Sequence, residues 1–90
     1  METKGLISII HDDAEDIQFI KEMIQEEFSE YEIFSVNDEG KFQALLSQQG
    51  CRLVITEYKL HWSDGIKILQ IMKESQPECP VIMFTKSGNE

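Results

Sequence analysis

The 90-residue sequence predicts an α/β fold in which a parallel sheet carries helices on both faces. The first observation behind this is that short apolar runs, rich in β-branched residues, alternate with segments whose apolar residues recur every three or four positions. The second is that the segments follow one another through short connections, as strand and helix units do in parallel sheets. A chain of 90 residues is long enough for only one domain. We therefore expect a single (βα)₃β domain over residues 1–90.

The strands are predicted from apolar runs bounded by turn residues. They cover residues 6–10, 31–36, 52–57 and 81–84. The first run is continuous rather than alternating, which is typical of a strand buried on both faces. In parallel sheets of this kind, sites form where the strands end at their carboxyl edge.

Helical spacing and end signals predict three helices between these strands. The first begins near Asp13, with acidic residues in its first turn, and the second lies between Asp38 and Gly50. The third begins at Asp64-Gly65 and ends before Pro77, which disfavours a helical residue ahead of it. The apolar positions predicted to face the sheet are Ile17, Ile20, Ile24 and Phe28, then Phe42, Leu45 and Leu46, and finally Ile66, Leu69 and Met72.

The composition excludes several classes of protein. Lys and Arg number 8 against 17 Asp and Glu, a net charge of −9, so nucleic acid and anionic membranes are poor partners. The hydrophobic fraction of 41% excludes a disordered chain. No apolar run approaches the roughly 20 residues of a membrane span, and residues 1–5 do not form a signal peptide, so we expect a cytoplasmic protein.

The two cysteines, Cys51 and Cys79, each lie beside the start of a predicted strand. Two cysteines do not make a disulfide framework, and their spacing is not that of metal ligands. We expect reduced, packed thiols in preference to a redox pair.

Three acids stand at strand ends. Asp12 and Asp13 follow the first strand and Glu57 ends the third, and these two strands are expected to be neighbours. Three carboxylates in one shallow pocket repel one another, so either a proton or a divalent cation such as Mg²⁺ would neutralise them. The alternative is that Asp12 and Asp13 cap the following helix and Glu57 is a solvated loop acid. The charge pattern alone leaves both interpretations open.

Four segments in this order and spacing resemble the receiver domain of two-component response regulators. They are IIHDD at 9–13, LVITEYKL at 53–60, SDG at 63–65 and PVIMFT at 80–85, and the resemblance runs from Leu6 to Glu90 without internal gaps. It implies a doubly wound, flavodoxin-like receiver fold with strand order 2-1-3-4. It also implies a non-enzymatic signalling module of a phosphorelay.

The resemblance also implies a site. Receivers take a phosphoryl group from a histidine kinase onto an aspartate, with Mg²⁺ held by an acidic pair, the acceptor and a backbone carbonyl. By position, Asp12, Asp13, Glu57 and the carbonyl of Lys59 would be the magnesium ligands. Glu57 would stand at the phosphoacceptor position, and Thr85 would supply the hydroxyl that turns toward the phosphoryl oxygens.

Two departures from the family pattern stand out. Glu57 replaces the acceptor aspartate and carries its carboxylate one methylene further out, so we expect a degenerate site that accepts phosphate poorly or not at all. The sequence also ends before the family's fifth strand, with its lysine and aromatic switch residue. We therefore expect the N-terminal portion of a receiver domain, with Phe19 and Met23 exposed and the last strand at an apolar edge, and hence a homo-oligomer of the isolated chain.

Some alternatives remain open from the sequence. His11 is either a simple hydrogen-bonded strand-end residue, which we favour, or a metal ligand. Trp62 is either a contact for a partner protein or a ring folded over its own loop. The domain is either a degenerate receiver, a working Mg²⁺-dependent acceptor, or a pure interaction module that docks to a kinase or an attached output domain.

Overall fold

The structure, a computed structural model, describes residues 5–48 and 50–84. In this part of the chain there are four strands and three helices, alternating in the predicted order. The elements are β1 (Gly5–Ile10), α1 (Ala14–Glu27), β2 (Tyr31–Val36), α2 (Glu39–Leu46), β3 (Cys51–Glu57), α3 (Gly65–Ser75) and β4 (Val81–Phe84).

The strands form one parallel sheet in the order β2-β1-β3-β4, as predicted. β1 is central, and its residues from Leu6 to Ile10 are all buried. Each helix begins after an aspartate whose side chain accepts a backbone N–H of the first turn, namely Asp13, Asp38 and Asp64. These local caps explain why the sequence located the helix starts to within one or two residues.

Two apolar clusters cover the two faces of the sheet. On one face α1 packs through Ile17, Ile20 and Ile24. On the other face α2 and α3 pack together, through Phe42, Leu45, Ile68 and Met72. Helices on both faces are what a doubly wound sheet requires.

Two expected core positions are wrong. Phe28 does not continue the α1 stripe, because the helix ends at Glu27 and Phe28 turns out of it as the C-cap, with half its surface exposed. In α3 the buried positions are Ile68 and Met72, whereas Ile66 is 44% exposed. α3 carries apolar residues at positions 66, 68, 69, 71 and 72, so helical spacing alone fits more than one buried stripe.

Candidate functional site at the carboxyl edge of the sheet

The site is built where β1 and β3 end side by side. The parallel register pairs Ile10 with Thr56, so the next residues, His11 and Glu57, emerge together from the carboxyl edge. The same edge carries Asp12 and the first turn of α1. Titratable side chains from the ends of two strands and the start of one helix therefore meet at the carboxyl edge, where sites form in parallel sheets.

His11 is the buried centre of this site, with 5% of its surface exposed. Its Nδ1 accepts the backbone N–H of Asp13 at 3.1 Å. A neutral imidazole that accepts at Nδ1 carries its proton at Nε2. That Nε2 lies 3.4 Å from Asp16 Oδ2 and 3.5 Å from Glu57 Oε1, so it is in electrostatic contact with two carboxylates, but it forms no hydrogen bond with another described residue.

Glu57 is turned into the protein rather than out of it. Its side chain is 16% exposed, and its Oε1 is directed at His11. The ring of Phe84, at the end of β4, lies 5.8 Å from the His11 ring, centroid to centroid. An apolar ring on this side lowers the local dielectric and strengthens the interaction between the imidazole N–H and the carboxylates.

Asp12 holds the loop that follows β3. Its Oδ2 accepts the backbone N–H of His61 at 2.7 Å, and the same oxygen lies 3.8 Å from the His61 ring nitrogen Nε2. Its other oxygen, Oδ1, is buried and has no hydrogen-bond partner among the described residues. Asp12 therefore links the end of β1 to the loop between β3 and α3.

Asp13 has a different task. Its side chain is exposed, and Oδ1 accepts the backbone N–H of Glu15 at 2.9 Å, which makes Asp13 the N-cap of α1. The cap satisfies one of the unpaired donors of the first turn. This is the arrangement expected if Asp13 is a helix-capping acid, the alternative that the sequence left open.

The loop between β3 and α3 is closed by its own backbone. Gly65 N–H donates to Tyr58 C=O at 2.7 Å, and Lys59 forms an isolated bridge with Asp64. A Cβ at Gly65 would overlap Met83 Sδ and come within 3.1 Å of the carbonyl oxygen of Glu57. A larger residue at this position would therefore have to displace the Met83 side chain and press on the backbone of β3.

Trp62 in this loop is folded inward. Its ring centroid lies 5.8 Å from that of Phe42, and it packs against the α2 and α3 cluster. The ring thus covers its own domain, and a contact between Trp62 and a partner protein stays a prediction. Thr85, the predicted switch hydroxyl, lies outside the described residues.

The predicted magnesium ligands have other contacts. Asp12 accepts from His61, Asp13 caps α1, and Glu57 faces a histidine N–H. In residues 5–48 and 50–84, no group of three His, Cys, Asp or Glu side chains is arranged to hold a metal ion. The magnesium site, including the Lys59 carbonyl, stays a prediction.

Sequence reasoning missed the central role of His11 and the participation of Asp16. His11 was expected to be hydrogen-bonded, and it is, but its second nitrogen was not assigned. In the sequence, Asp16 is one of the two acidic residues, with Glu15, that mark the first turn of α1. A signal existed, since Asp16 follows the cap by three residues and so lies on the first turn above the strand ends, within reach of a residue that follows β1.

Comparison with known proteins agrees with this geometry. A sequence model of the response regulator receiver domain matches residues 7–90. No match was found among curated proteins.

Within the described part of the chain, no helix has the length and hydrophobicity of a membrane span.

Solved structures similar to this chain are receivers. The non-phosphorylated HemR receiver domain from Leptospira biflexa is 16% identical, with a TM-score of 0.79 over 97% of this chain and 68% of its own. A receiver domain of an HD domain-containing protein from Pseudomonas fluorescens Pf-5 is 18% identical, with a TM-score of 0.82 over 99% of this chain and 64% of its own. The MaeR response regulator bound to beryllium trifluoride is 26% identical, with a TM-score of 0.74 over 96% and 70%.

This chain therefore spans about two thirds of the length of these chains. The order of its strands, the placement of its helices and the family match over nearly the whole sequence agree. The chain belongs to the response regulator receiver domain family.

Proposed function

We propose that this chain is a degenerate receiver module, in which Glu57 does not act as a phosphoryl acceptor. The observation that carries the proposal is the 3.5 Å approach of Glu57 Oε1 to His11 Nε2 inside a largely buried cluster. An acceptor must expose a carboxylate oxygen to the incoming phosphorus. Here that oxygen is turned toward an internal N–H.

The length of the Glu57 side chain supports the same conclusion. One added methylene moves a carboxylate by about 1.5 Å. A misplacement of about 1 Å costs on the order of 10²-fold in a reaction that depends on in-line geometry. Phosphoryl transfer depends almost entirely on positioning and electrostatics, so the loss is not recovered elsewhere.

We further propose that Mg²⁺ binds weakly at this site. A cation beside Glu57 would face the Nε2–H of His11, which is a donor and not a ligand. The proton on His11 already supplies a partial positive charge between Asp16 and Glu57. The carboxylates therefore gain less from a divalent ion than they would in an all-acid pocket.

The partner we propose is a histidine kinase or an attached output domain, in the cytoplasm. The strongest apolar exposure among the described residues is on the α1 side of the sheet. Phe19 and Met23 on α1 and Ile82 on β4 are each more than half exposed. A surface of this kind favours protein contact, and we propose that two copies of the isolated chain associate through it.

Two rival functions make different predictions. A working acceptor would gain the mass of one phosphoryl group from acetyl phosphate, in a Mg²⁺-dependent manner. A pure interaction module would bind a kinase without any response to Mg²⁺ or to a beryllofluoride analogue. A degenerate receiver should neither gain a phosphoryl group from acetyl phosphate nor respond to the beryllofluoride analogue. It should accept a phosphoryl group again when the acceptor geometry is restored.

The test uses acetyl phosphate with Mg²⁺ and intact mass, and beryllofluoride with Trp62 fluorescence. The Glu57→Asp variant is the matched control, because it shortens the side chain while preserving its charge. We expect no phosphoryl adduct on the wild-type chain and a measurable adduct on Glu57→Asp. An adduct on wild-type Glu57 would establish the acceptor function, and inert behaviour of both chains would favour the interaction module.

A further inference from the structure

Two thiols meet at the end of the sheet opposite the carboxylate site. Cys51 opens β3, and Cys79 lies two residues before β4, which pairs with β3. Both are free, and their sulfur atoms are 3.3 Å apart. The sequence predicted packed thiols, but it did not predict that they touch.

We propose that Cys51 and Cys79 are an oxidation site, at which a hydroperoxide converts the two thiols into an intramolecular disulfide. A disulfide needs a sulfur separation near 2.05 Å, so the two atoms must approach by little more than 1 Å. β3 is already paired with β4, and Val54 N–H donates to the carbonyl of Pro80, the residue after Cys79, so no element has to separate first.

The two thiols are not equivalent. The Cys79 S–H donates to Cys51 Sγ, so Cys51 is the acceptor of the contact between them. Burial raises the pKa of the Cys79 thiol to about 12, with the neighbouring Cys51 adding to the shift. Cys51 is therefore assigned as the attacking thiolate and Cys79 as the resolving thiol.

An oxidant can reach the pair. Cys79 is 8% exposed, whereas Cys51 is half-buried. Both line an open cleft of about 580 Å³, whose other walls include Leu46, Gln48 and Pro77. A small hydroperoxide entering this cleft meets Cys51 before the more deeply buried Cys79.

The chemistry balances in two steps. The Cys51 thiolate attacks the peroxide O–O bond, which breaks to give the Cys51 sulfenic acid and, after protonation, an alcohol. The Cys79 sulfur then attacks the sulfenic sulfur, the S–O bond breaks, and the Cys79 proton leaves with the hydroxide as water. In sum, two thiols are oxidised by two electrons, and one hydroperoxide is reduced to one alcohol and one water.

The site is tested on the whole chain with tert-butyl hydroperoxide. Remaining thiols are trapped with N-ethylmaleimide in denaturant, so that methionine oxidation does not confuse the count. Trypsin places the cysteines in separate peptides, 42–52 and 74–86. We expect the reduced chain to take two adducts, the oxidised chain none, and dithiothreitol to restore both.

The decisive product is peptide 42–52 joined to peptide 74–86 in a chain of monomeric mass. Its absence, with the thiols intact or converted to acids that dithiothreitol does not reduce, would overturn the proposal. Cys79→Ser should leave Cys51 as a sulfenic acid that dimedone traps. In Cys51→Ser, Cys79 should stay alkylatable at the same dose, and its oxidation as fast as that of wild-type Cys51 would overturn the assigned order.

Discussion

The Nε2 of His11 lies 3.5 Å from Oε1 of Glu57, where the central strand and its neighbour end together. Because Nδ1 of the same ring accepts a backbone N–H, this nitrogen carries the proton of the neutral ring. The carboxylate at the acceptor position therefore lies against an internal imidazole nitrogen, in electrostatic contact and not in a hydrogen bond. This relationship links the stability of the domain to the chemistry of its site.

Removing the donor should destabilise the domain. In His11→Ala, the largely buried carboxylates of Asp16 and Glu57 remain close together without the N–H between them. We expect a loss of about 1 to 3 kcal/mol in the free energy of unfolding, measured by urea titration.

Glu57→Gln provides the matched variant, because it removes one of the two charges and retains the shape. The double variant should lose less than the sum of the single losses. Strictly additive losses would mean that His11 and Glu57 do not interact.

The Asp12 carboxylate should control the loop that holds Trp62. In Asp12→Ala the His61 N–H loses its acceptor, and a loss of about 1 kcal/mol in unfolding free energy is expected. Trp62 emission should shift to longer wavelength as the ring loosens from Phe42. Asp12→Asn retains an acceptor oxygen and should preserve the emission of the wild-type chain; equal shifts in both variants would assign the role to charge.

Asp13 provides a test of magnesium. Because Asp13 is the N-cap of α1, Asp13→Ala should lower the free energy of unfolding by about 1 kcal/mol, whereas Asp13→Ser should change it little. If Asp13 only caps the helix, both differences should be the same with and without Mg²⁺. A melting temperature that rises with Mg²⁺ in the wild-type chain, and not in Asp13→Ser, would show that Asp13 is a ligand.

The carboxyl edge could be predicted only in part. Strand ends and helix caps are determined by residues that are close together in the sequence. The sequence therefore predicted that Asp12, Asp13 and Glu57 lie at one edge of the sheet. Which carboxylate meets which partner depends on side-chain rotamers and on contacts between residues 46 positions apart, as for His11 and Glu57. Sequence spacing contains no information about these.

The same limit explains the core of α3. Apolar residues occupy positions 66, 68, 69, 71 and 72, so several stripes satisfy helical spacing. The close approach at Gly65 fixes the rotation of the helix, because the face that carries Gly65, Ile68 and Met72 is the one turned inward. In the sequence, a glycine beside a cap indicates only that a helix begins there.

Gly65→Ala should therefore be costly. Its methyl group would overlap Met83 Sδ, and the carbonyl of Glu57 leaves little room on the other side. We expect a loss of about 1 to 3 kcal/mol in unfolding free energy, as for other overpacked sites. Gly40→Ala is the control, since its nearest described neighbour is Asp38 Oδ1 at 3.4 Å and alanine favours helix. Similar losses at both positions would rule out the overlap as the cause.

The apolar surface on the α1 side should determine the oligomeric state. Ile82 pairs with Ile55, whose side chain packs in the α1 cluster, so Ile82 emerges on the same face of the sheet. It lies on β4, the outermost strand of the described sheet, with Phe19 and Met23 exposed on the helix of that face.

Light scattering of dilute protein should give a mass above 10.4 kDa. Because a charge on an edge strand opposes association, Ile82→Lys should shift the protein toward monomer. The control is Gln43→Lys, which places the same charge at an exposed position of α2 and should leave the oligomeric state unchanged. A wild-type chain that is monomeric at every concentration would contradict association through this face.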